Sequence, residues 1–376
     1  MSIERNNRGG TVALFSDAPY AGGAEHYLVL LAKGIRDCGF RPVLIINGKG
    51  KLDTLEAAMR DLGMDVYEVS LDVTLTKVGV ADALRLLRSL RCSIFHINLP
   101  GPFDAHYSLV APLARMAGIR NVVTTEHLPM TPSFAKGRII KGFSTLFISR
   151  IITVSEDNVT HLIENHHVPS AKIRVVHNGV PDTALVEPVD IRGRLGLGKE
   201  AFLVATVGEL TERKGQMTLF RAMRYTSDRV HLLVVGEGPM EHEYRQAVPK
   251  LSLGGRVHFL GFRSDVPALL KGVDVLSVPS LIEATPYVIL EAMAAGVPAI
   301  ANRIYGIPEQ IVTGETGLLV RQGDEDELTA ALNELAGDAA LVKRMGEKAR
   351  QRYEELFTLE RFTKGTVEVY RELTEA

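Results

Sequence analysis

Two carboxylates and two cations account for most of the chemistry this sequence could perform. Glu283 and Glu291, separated by seven residues, lie in the stretch Pro-Ser-Leu-Ile-Glu-Ala-Thr-Pro-Tyr-Val-Ile-Leu-Glu-Ala-Met-Ala-Ala-Gly-Val-Pro, residues 279–298. Thr285 is placed to cap a helix whose first residue is Pro286, so the positive end of that helix faces the turn before it and favours an anion, commonly phosphate. The helix is apolar on every side (Val288, Ile289, Leu290, Ala292, Met293, Ala294, Ala295) and is expected to be largely buried. Glu291 sits inside it, and a carboxylate there needs a donor. Either an internal salt bridge or backbone amide supplies that donor, or the hydroxyls of a ligand do.

The cations are Arg213 and Lys214, in Gly208-Glu209-Leu210-Thr211-Glu212-Arg213-Lys214-Gly215-Gln216. Paired cations at a strand-to-helix turn suit a diphosphate, by charge-assisted hydrogen bonds. An exposed first-turn lysine is the plainer reading of Lys214, and adjacent helical residues are expected to diverge. Gly22 and Gly23 follow the first strand, where glycine lets backbone approach a ligand or simply makes a tight turn. His96 and His127 end two further strands, a place where histidines are more often structural. Gly236-Glu237-Gly238 opens like a dinucleotide fingerprint but Glu241 stands where the third glycine belongs. His166-His167 reads as a surface loop, since no third ligand lies at metal spacing. Asp324-Glu325-Asp326-Glu327 reads as the cap of a helix carrying Leu328, Ala331 and Leu332.

The elements that position these residues follow an α/β rhythm of short apolar runs and helical segments. Strands are expected at 11–15, 42–46, 65–69, 93–97, 121–125, 151–154, 202–207, 230–235 and 273–278, with a final amphipathic helix at 358–373 burying Phe362, Val367 and Tyr370. A chain of 376 residues exceeds the size at which one core stops growing, so two domains are expected. The net charge of -2 gives no reason to expect nucleic acid, and two cysteines are too few for a disulfide framework or zinc site. No secretory signal or membrane span is apparent, which points to the cytoplasm. Between His127 and Ser155, Lys136, Arg138, Lys141 and Arg150 interleave with Phe134, Ile139, Ile140, Phe143, Leu146 and Phe147. Residues 134–150 read either as a solvated helix face or as a peripheral contact with anionic lipid.

The glutamate spacing, with the Ala-Met-Ala-Ala-Gly-Val-Pro that follows, resembles the donor-site signature of retaining glycosyltransferase family 4. The resemblance covers nearly the whole chain and is strongest over 203–320. It implies the GT-B fold: Rossmann-like domains at 1–181 and 182–357 facing across a cleft, with a C-terminal helix, 358–376, returning to the first. By position it implies that Glu283 approaches the donor sugar, that Ala284, Thr285, Pro286 and Tyr287 contact sugar and phosphate, and that Glu291 holds the ribose. Lys214 would take the diphosphate, His127 the sugar, Gly22 and Gly23 the phosphates and the acceptor, and backbone at Gly261, Phe262 and Arg263 the base. Two departures stand out: Ala284 where the family has glycine, and Glu209 where it has arginine, which leaves Arg213 as a substitute.

The resemblance thus implies a retaining, metal-independent hexosyl-type transferase. It would move sugar from a nucleoside-diphosphate sugar, at family level a UDP-sugar, to the hydroxyl of a sugar, glycan or lipid-linked acceptor, with no cofactor. A sugar-nucleotide 2-epimerase and a noncatalytic sugar-nucleotide-binding subunit are the alternatives, and an oxidoreductase the remotest.

Overall fold

A computed structural model describes residues 9–18, 22–48, 52–70, 77–99, 110–129 and 135–375. The chain divides into two compact units, residues 1–178 with 359–376, and residues 179–358.

The first unit is built on seven parallel strands: β1 (Thr11–Ser16), β2 (Arg41–Asn47), β3 (Val66–Val69), β4 (Ile94–Leu99), β5 (Val122–Glu126), β6 (Arg150–Thr153) and β7 (Ile173–Val175). Their order is β3-β2-β1-β4-β5-β6-β7. Strands such as Val12–Phe15 and Ile94–Leu99 are buried on both faces, which is why they read as unbroken apolar runs. The order reverses between β1 and β4, so the carboxyl ends of those two strands flank a switch point, where ligands of doubly wound sheets lie.

The final helix, Leu359–Thr374, belongs to this unit and packs on helix Gly23–Asp37. Phe362, Val367 and Tyr370 are buried, as their spacing predicts. Phe362 meets Tyr27 edge-on with ring centroids 5.1 Å apart, and Tyr370 meets Phe40 at 5.8 Å. Gly34 allows this approach, because a Cβ there would collide with Thr363.

The second unit has six parallel strands: β8 (Phe202–Val207), β9 (Val230–Val235), β10 (Val257–Gly261), β11 (Val275–Val278), β12 (Ala299–Asn302) and β13 (Gly317–Val320). Their order, β10-β9-β8-β11-β12-β13, repeats the doubly wound pattern, and its switch point lies between β8 and β11. The loops leaving those strands are the ones that carry Arg213, Lys214 and Glu283. Helix Tyr287–Ala294 packs on β11, β12 and helix Ala339–Leu356. At its far end Thr183 Oγ1 (2.8 Å) and Arg350 (2.7 Å) donate to the Ala294 carbonyl.

Several expectations need correction. Strands β7, β10, β12 and β13 are not among those expected; they are only three to five residues long. His166 is not in a loop: it ends helix Glu156–His166 and is buried, and His167 takes the left-handed C-cap conformation with φ 53°. The basic surface expected over 134–150 loses two of its four cations. Lys141 is fully buried against the Glu126 carboxylate, which ends β5 inside the unit and needs a cation there. Arg150 pairs with Glu372 at 3.2 Å. Phe134 and the side chains of Lys136 and Arg138 lie outside the described residues. Among those described, the exposed groups are apolar: Ile139, Phe143 and Leu146, at 72%, 49% and 72%. Asp324 behaves as expected, accepting from the Glu327 N–H at 2.9 Å to cap helix Glu325–Gly337.

Candidate functional site

In the second unit, the loop after β8 and the loop after β11 are stitched together by backbone. Leu281 N–H donates to the Arg213 carbonyl at 2.8 Å. Gly215, in the left-handed conformation at φ 68°, lies so close to Pro279 that a Cβ would overlap its carbonyl oxygen. Gly208, at φ 146°, lies beside the Lys214 chain, where a Cβ would make ordinary contact with Cε at 3.5 Å.

This stitching brings Arg213, Lys214 and Glu283 to one point. Lys214 Nζ and Arg213 both engage Glu283 Oε1, the arginine at 3.4 Å and also donating to the Ile282 carbonyl at 3.0 Å. The expected divergence of Arg213 from Lys214 is therefore corrected. Glu212–Lys214 is a single 3-10 turn ended by left-handed Gly215, and in so tight a turn two adjacent long side chains reach the same carboxylate. Glu209 is exposed, and its carbonyl accepts from Gln216 Nε2 at 3.0 Å and from the Thr211 N–H at 3.1 Å.

The helix start also differs from expectation. Helical geometry begins at Tyr287, and Pro286 occupies the N-cap position with an extended ψ of 128°. The pyrrolidine ring fixes φ at −61° but not ψ, so proline here precedes the helix, and Thr285 does not act as its cap. The positive end of the helix dipole accordingly faces the segment Ala284 to Tyr287. Ala284 and Thr285 are both buried.

Two side chains that show no local motif hold this segment at either end. Asn302 Nδ2, at the end of β12, donates to the carbonyls of Pro279 and Ser280, each at 2.9 Å. Gln310 Nε2 donates to the Pro286 carbonyl at 3.3 Å.

Glu291, inside helix Tyr287–Ala294, differs from these two bonded side chains. Among the described residues no hydrogen bond or ion pair reaches its carboxylate, so the internal salt bridge that would explain it is absent. Burial pushes its pKa from 4.5 up to about 7, with no opposite charge to counter it. The surroundings are dense, yet the residue is only partly buried by area. The carboxylate is therefore reachable from solvent, and ionising it costs less than full burial would set.

Beside β10, Gly261 is left-handed at φ 66°, Phe262 N–H donates to Glu237 at 3.3 Å, and the Phe262 ring is 76% exposed. Packing therefore does not account for that ring. Arg263 is held by Asp265 at 2.5 Å, leaving backbone as the available contact of this segment. The Gly236-x-Gly238 pair has a structural cause, since a Cβ at either position would strike the backbone of Gly208 or Leu210.

The remaining expected residues, Gly22, Gly23 and His127, lie at the carboxyl ends of β1 and β5 in the first unit. Neither glycine has a positive φ, and a Cβ at Gly23 would meet nothing within 4 Å, so a tight turn does not explain the pair. Glu25 closes the loop, accepting from Gly22 N–H at 2.9 Å and Ser16 Oγ at 3.1 Å, while burial holds its carboxyl above the usual range. His96 turns inward. It is fully buried between Tyr370 (2.5 Å) and Thr125 (2.7 Å), and burial lowers its pKa to about 3, so it lines no site. His127 is held by Asn98 at 2.8 Å. Among the described residues there is no group of three or more His, Cys, Asp or Glu placed to hold a metal ion, and no helix long and apolar enough to cross a membrane.

Comparison with known proteins gives this geometry a context. The family described as "Glycosyl transferases group 1" matches residues 190–352, and "Glycosyltransferase Family 4" matches residues 21–184. A D-inositol 3-phosphate glycosyltransferase of Mycobacterium marinum is 30% identical over 82% of this chain and 70% of its own length. An uncharacterised glycosyltransferase of Methanocaldococcus jannaschii is 27% identical over 61% of each chain, so the chain spans about three fifths of that relative's length. The crystal structure of Anabaena HepE in complex with UDP matches with a TM-score of 0.85, covering 96% of this chain and 100% of that one at 23% identity.

Proposed function

The chain belongs to glycosyltransferase family 4 and has the GT-B fold, and on that premise we propose that it transfers a sugar from a nucleoside-diphosphate sugar to an acceptor hydroxyl, with retention and without a metal. The reading rests on one observation above all, a partly buried Glu291 carboxylate that finds no partner among the described residues. A chain that needed only stability would place an apolar residue there. Vicinal hydroxyls of a ribose offer the two donors this acceptor lacks.

Lys214 and Arg213, gathered on Glu283, are the cations for the diphosphate. A diphosphate carries more charge than one carboxylate and draws them toward the departing oxygen as its bond to the anomeric carbon breaks. Glu283 is then released to the sugar. With Arg213 already beside Lys214, the loss of the family's arginine at Glu209 is offset, which weighs against a noncatalytic subunit. Ala284 to Tyr287 would meet sugar and phosphate, and Gly261 to Arg263 the base through backbone, with Phe262 exposed beside it.

HepE crystallised with UDP and with UDP-glucose makes a uridine diphosphate sugar the first donor to try. The acceptor class is a sugar, glycan or lipid-linked hydroxyl and the location cytoplasmic. Peripheral membrane contact stays in the proposal on the exposed Ile139, Phe143 and Leu146. It is dropped if the protein fails to cosediment with phosphatidylglycerol vesicles.

The deciding experiment is a thermal-shift titration with UDP, GDP, UDP-glucose and GDP-mannose, followed by incubation of the stabilising donor alone. A ligand that binds only the native state raises Tm. Slow release of free sugar supports a transferase, and an isomerised nucleotide sugar would instead show the 2-epimerase. Absence of stabilisation by any of them would remove the reading.

A further inference from the structure

Tyr305 occupies a turn that suits a different residue. It lies between β12 and helix Ile307–Gln310, where Ile307 N–H donates to the Ile304 carbonyl at 3.1 Å and makes Tyr305 and Gly306 the central pair of a tight turn. Tyr305 has φ 45°, and Gly306 has φ −77° and ψ −2°. A positive φ followed by a negative one is the type II′ order, whose first central place belongs to glycine. The other described non-glycine residues with positive φ, Arg91, His167 and Ser252, each come at the C-terminal end of a helix, where that conformation is ordinary. Tyr305 has no such cause, and an aromatic side chain there costs free energy.

The turn is pinned from within. Ile304 and Ile307 are buried, and Arg303 N–H donates to the Val320 carbonyl at the end of β13, at 2.8 Å. The tyrosine side chain takes no comparable part. It is 39% exposed, and among the described residues it forms no hydrogen bond, ion pair or ring contact. Strain that no such internal contact repays points to a role outside the chain. The loop itself is fastened to the Glu283 segment on both sides of Tyr305, by Asn302 to the Pro279 and Ser280 carbonyls and by Gln310 to the Pro286 carbonyl. The segment Gly261 to Arg263 lies at the end of β10, four strands from β12 and about 19 Å off at the usual strand spacing.

We infer that Tyr305 is a further binding residue of this unit's site, retained against the strain of its turn, and that it takes the sugar of the nucleotide sugar. The inference rests on the transferase reading, which brings a sugar to the segment beginning at Glu283. The strand order keeps Tyr305 from the base, and Arg213 and Lys214 already serve the diphosphate. A flat apolar ring suits the C–H face of a pyranose, and a phenol O–H can donate to or accept from its hydroxyls.

Two variants separate the strain from the contact. Y305G relieves the turn and removes the ring, whereas Y305A removes the ring and keeps a Cβ at positive φ. Y305G is expected to raise the ligand-free Tm by about 1–4 °C, and Y305A not to raise it. Affinities are then compared for UDP with UDP-glucose and for GDP with GDP-mannose. Both variants should bind the nucleotide sugar about fivefold to tenfold more weakly than wild type, and the free nucleoside diphosphate within about twofold of it. A Y305G Tm at or below that of wild type shows that packing of the ring repays the turn, and overturns the inference. Unchanged affinity of both variants for the nucleotide sugar overturns it too, as does an equal loss for sugar nucleotide and free diphosphate, and each of these leaves the transferase reading intact. A wild-type chain that binds none of the four nucleotides overturns both.

Discussion

Replacing Glu291 with glutamine separates the two explanations of that residue, because they predict stability changes of opposite sign. Its pKa is raised from 4.5 to about 7 by burial without a compensating charge. A carboxyl raised in the folded state adds stability that is fully present below its unfolded value and lost as pH climbs through the folded one. Wild type is therefore expected to weaken between about pH 5 and pH 8 through this group. The shift corresponds to at most about 3 kcal/mol, and access to solvent brings the expected figure to about 1–3 kcal/mol. Glutamine has the same shape without the charge. E291Q should therefore be more stable than wild type at pH 8.5 by that amount, a Tm higher by about 3–8 °C, and nearly equal at pH 5. The same variant should lose most of the Tm rise that UDP confers, because the amide's NH2 group adds donors where the ribose hydroxyls need acceptors. Thermal denaturation at the two pH values, with and without UDP, reads both effects. If E291Q is destabilised at pH 8.5, the carboxylate has an internal partner and the ligand role fails.

Two further outcomes follow from the stitched loops. Lys214→Ala should lower kcat about hundredfold with fold intact, since one charge-assisted contact to the leaving group is removed; unchanged steady-state turnover would end that role. Gly215→Ala combines a left-handed φ of 68° with overlap on the Pro279 carbonyl, and should cost about 2–4 kcal/mol in a urea melt. An unaltered midpoint would show that the two loops are not held together there.

Much of the fold was legible because buried parallel strands announce themselves as apolar runs. Phe202–Val207 and Val230–Val235 are read from sequence with the boundaries the structure has. Ala299–Asn302 and Gly317–Val320 escaped notice because four residues beside proline or glycine give no period to detect. The candidate site divides in the same way. Glu283, Glu291 and Lys214 sit in local patterns, whereas Asn98, Asn302 and Gln310 act only through partners 22 to 74 residues away. Arg213 was misjudged for a different reason. Side-chain directions were taken from an α-helix, and the 3-10 turn changes them. The Thr285 cap failed because proline at a cap leaves ψ undetermined.

The chain of buried hydrogen bonds from Tyr370 through His96 and Thr125 to Tyr27 ties the last helix into the first sheet, and this has a consequence for synthesis. Tyr370 is made only after residues 179–358 have emerged, about ten to forty seconds later at ordinary elongation rates. Throughout that interval the nascent first unit bears an open greasy groove beside Tyr27 and Phe40 and a sequestered imidazole without its phenol. It is then that chaperones have most to protect, and a message truncated before codon 359 would release a polypeptide with every strand of its first sheet but without the helix that covers Tyr27 and Phe40.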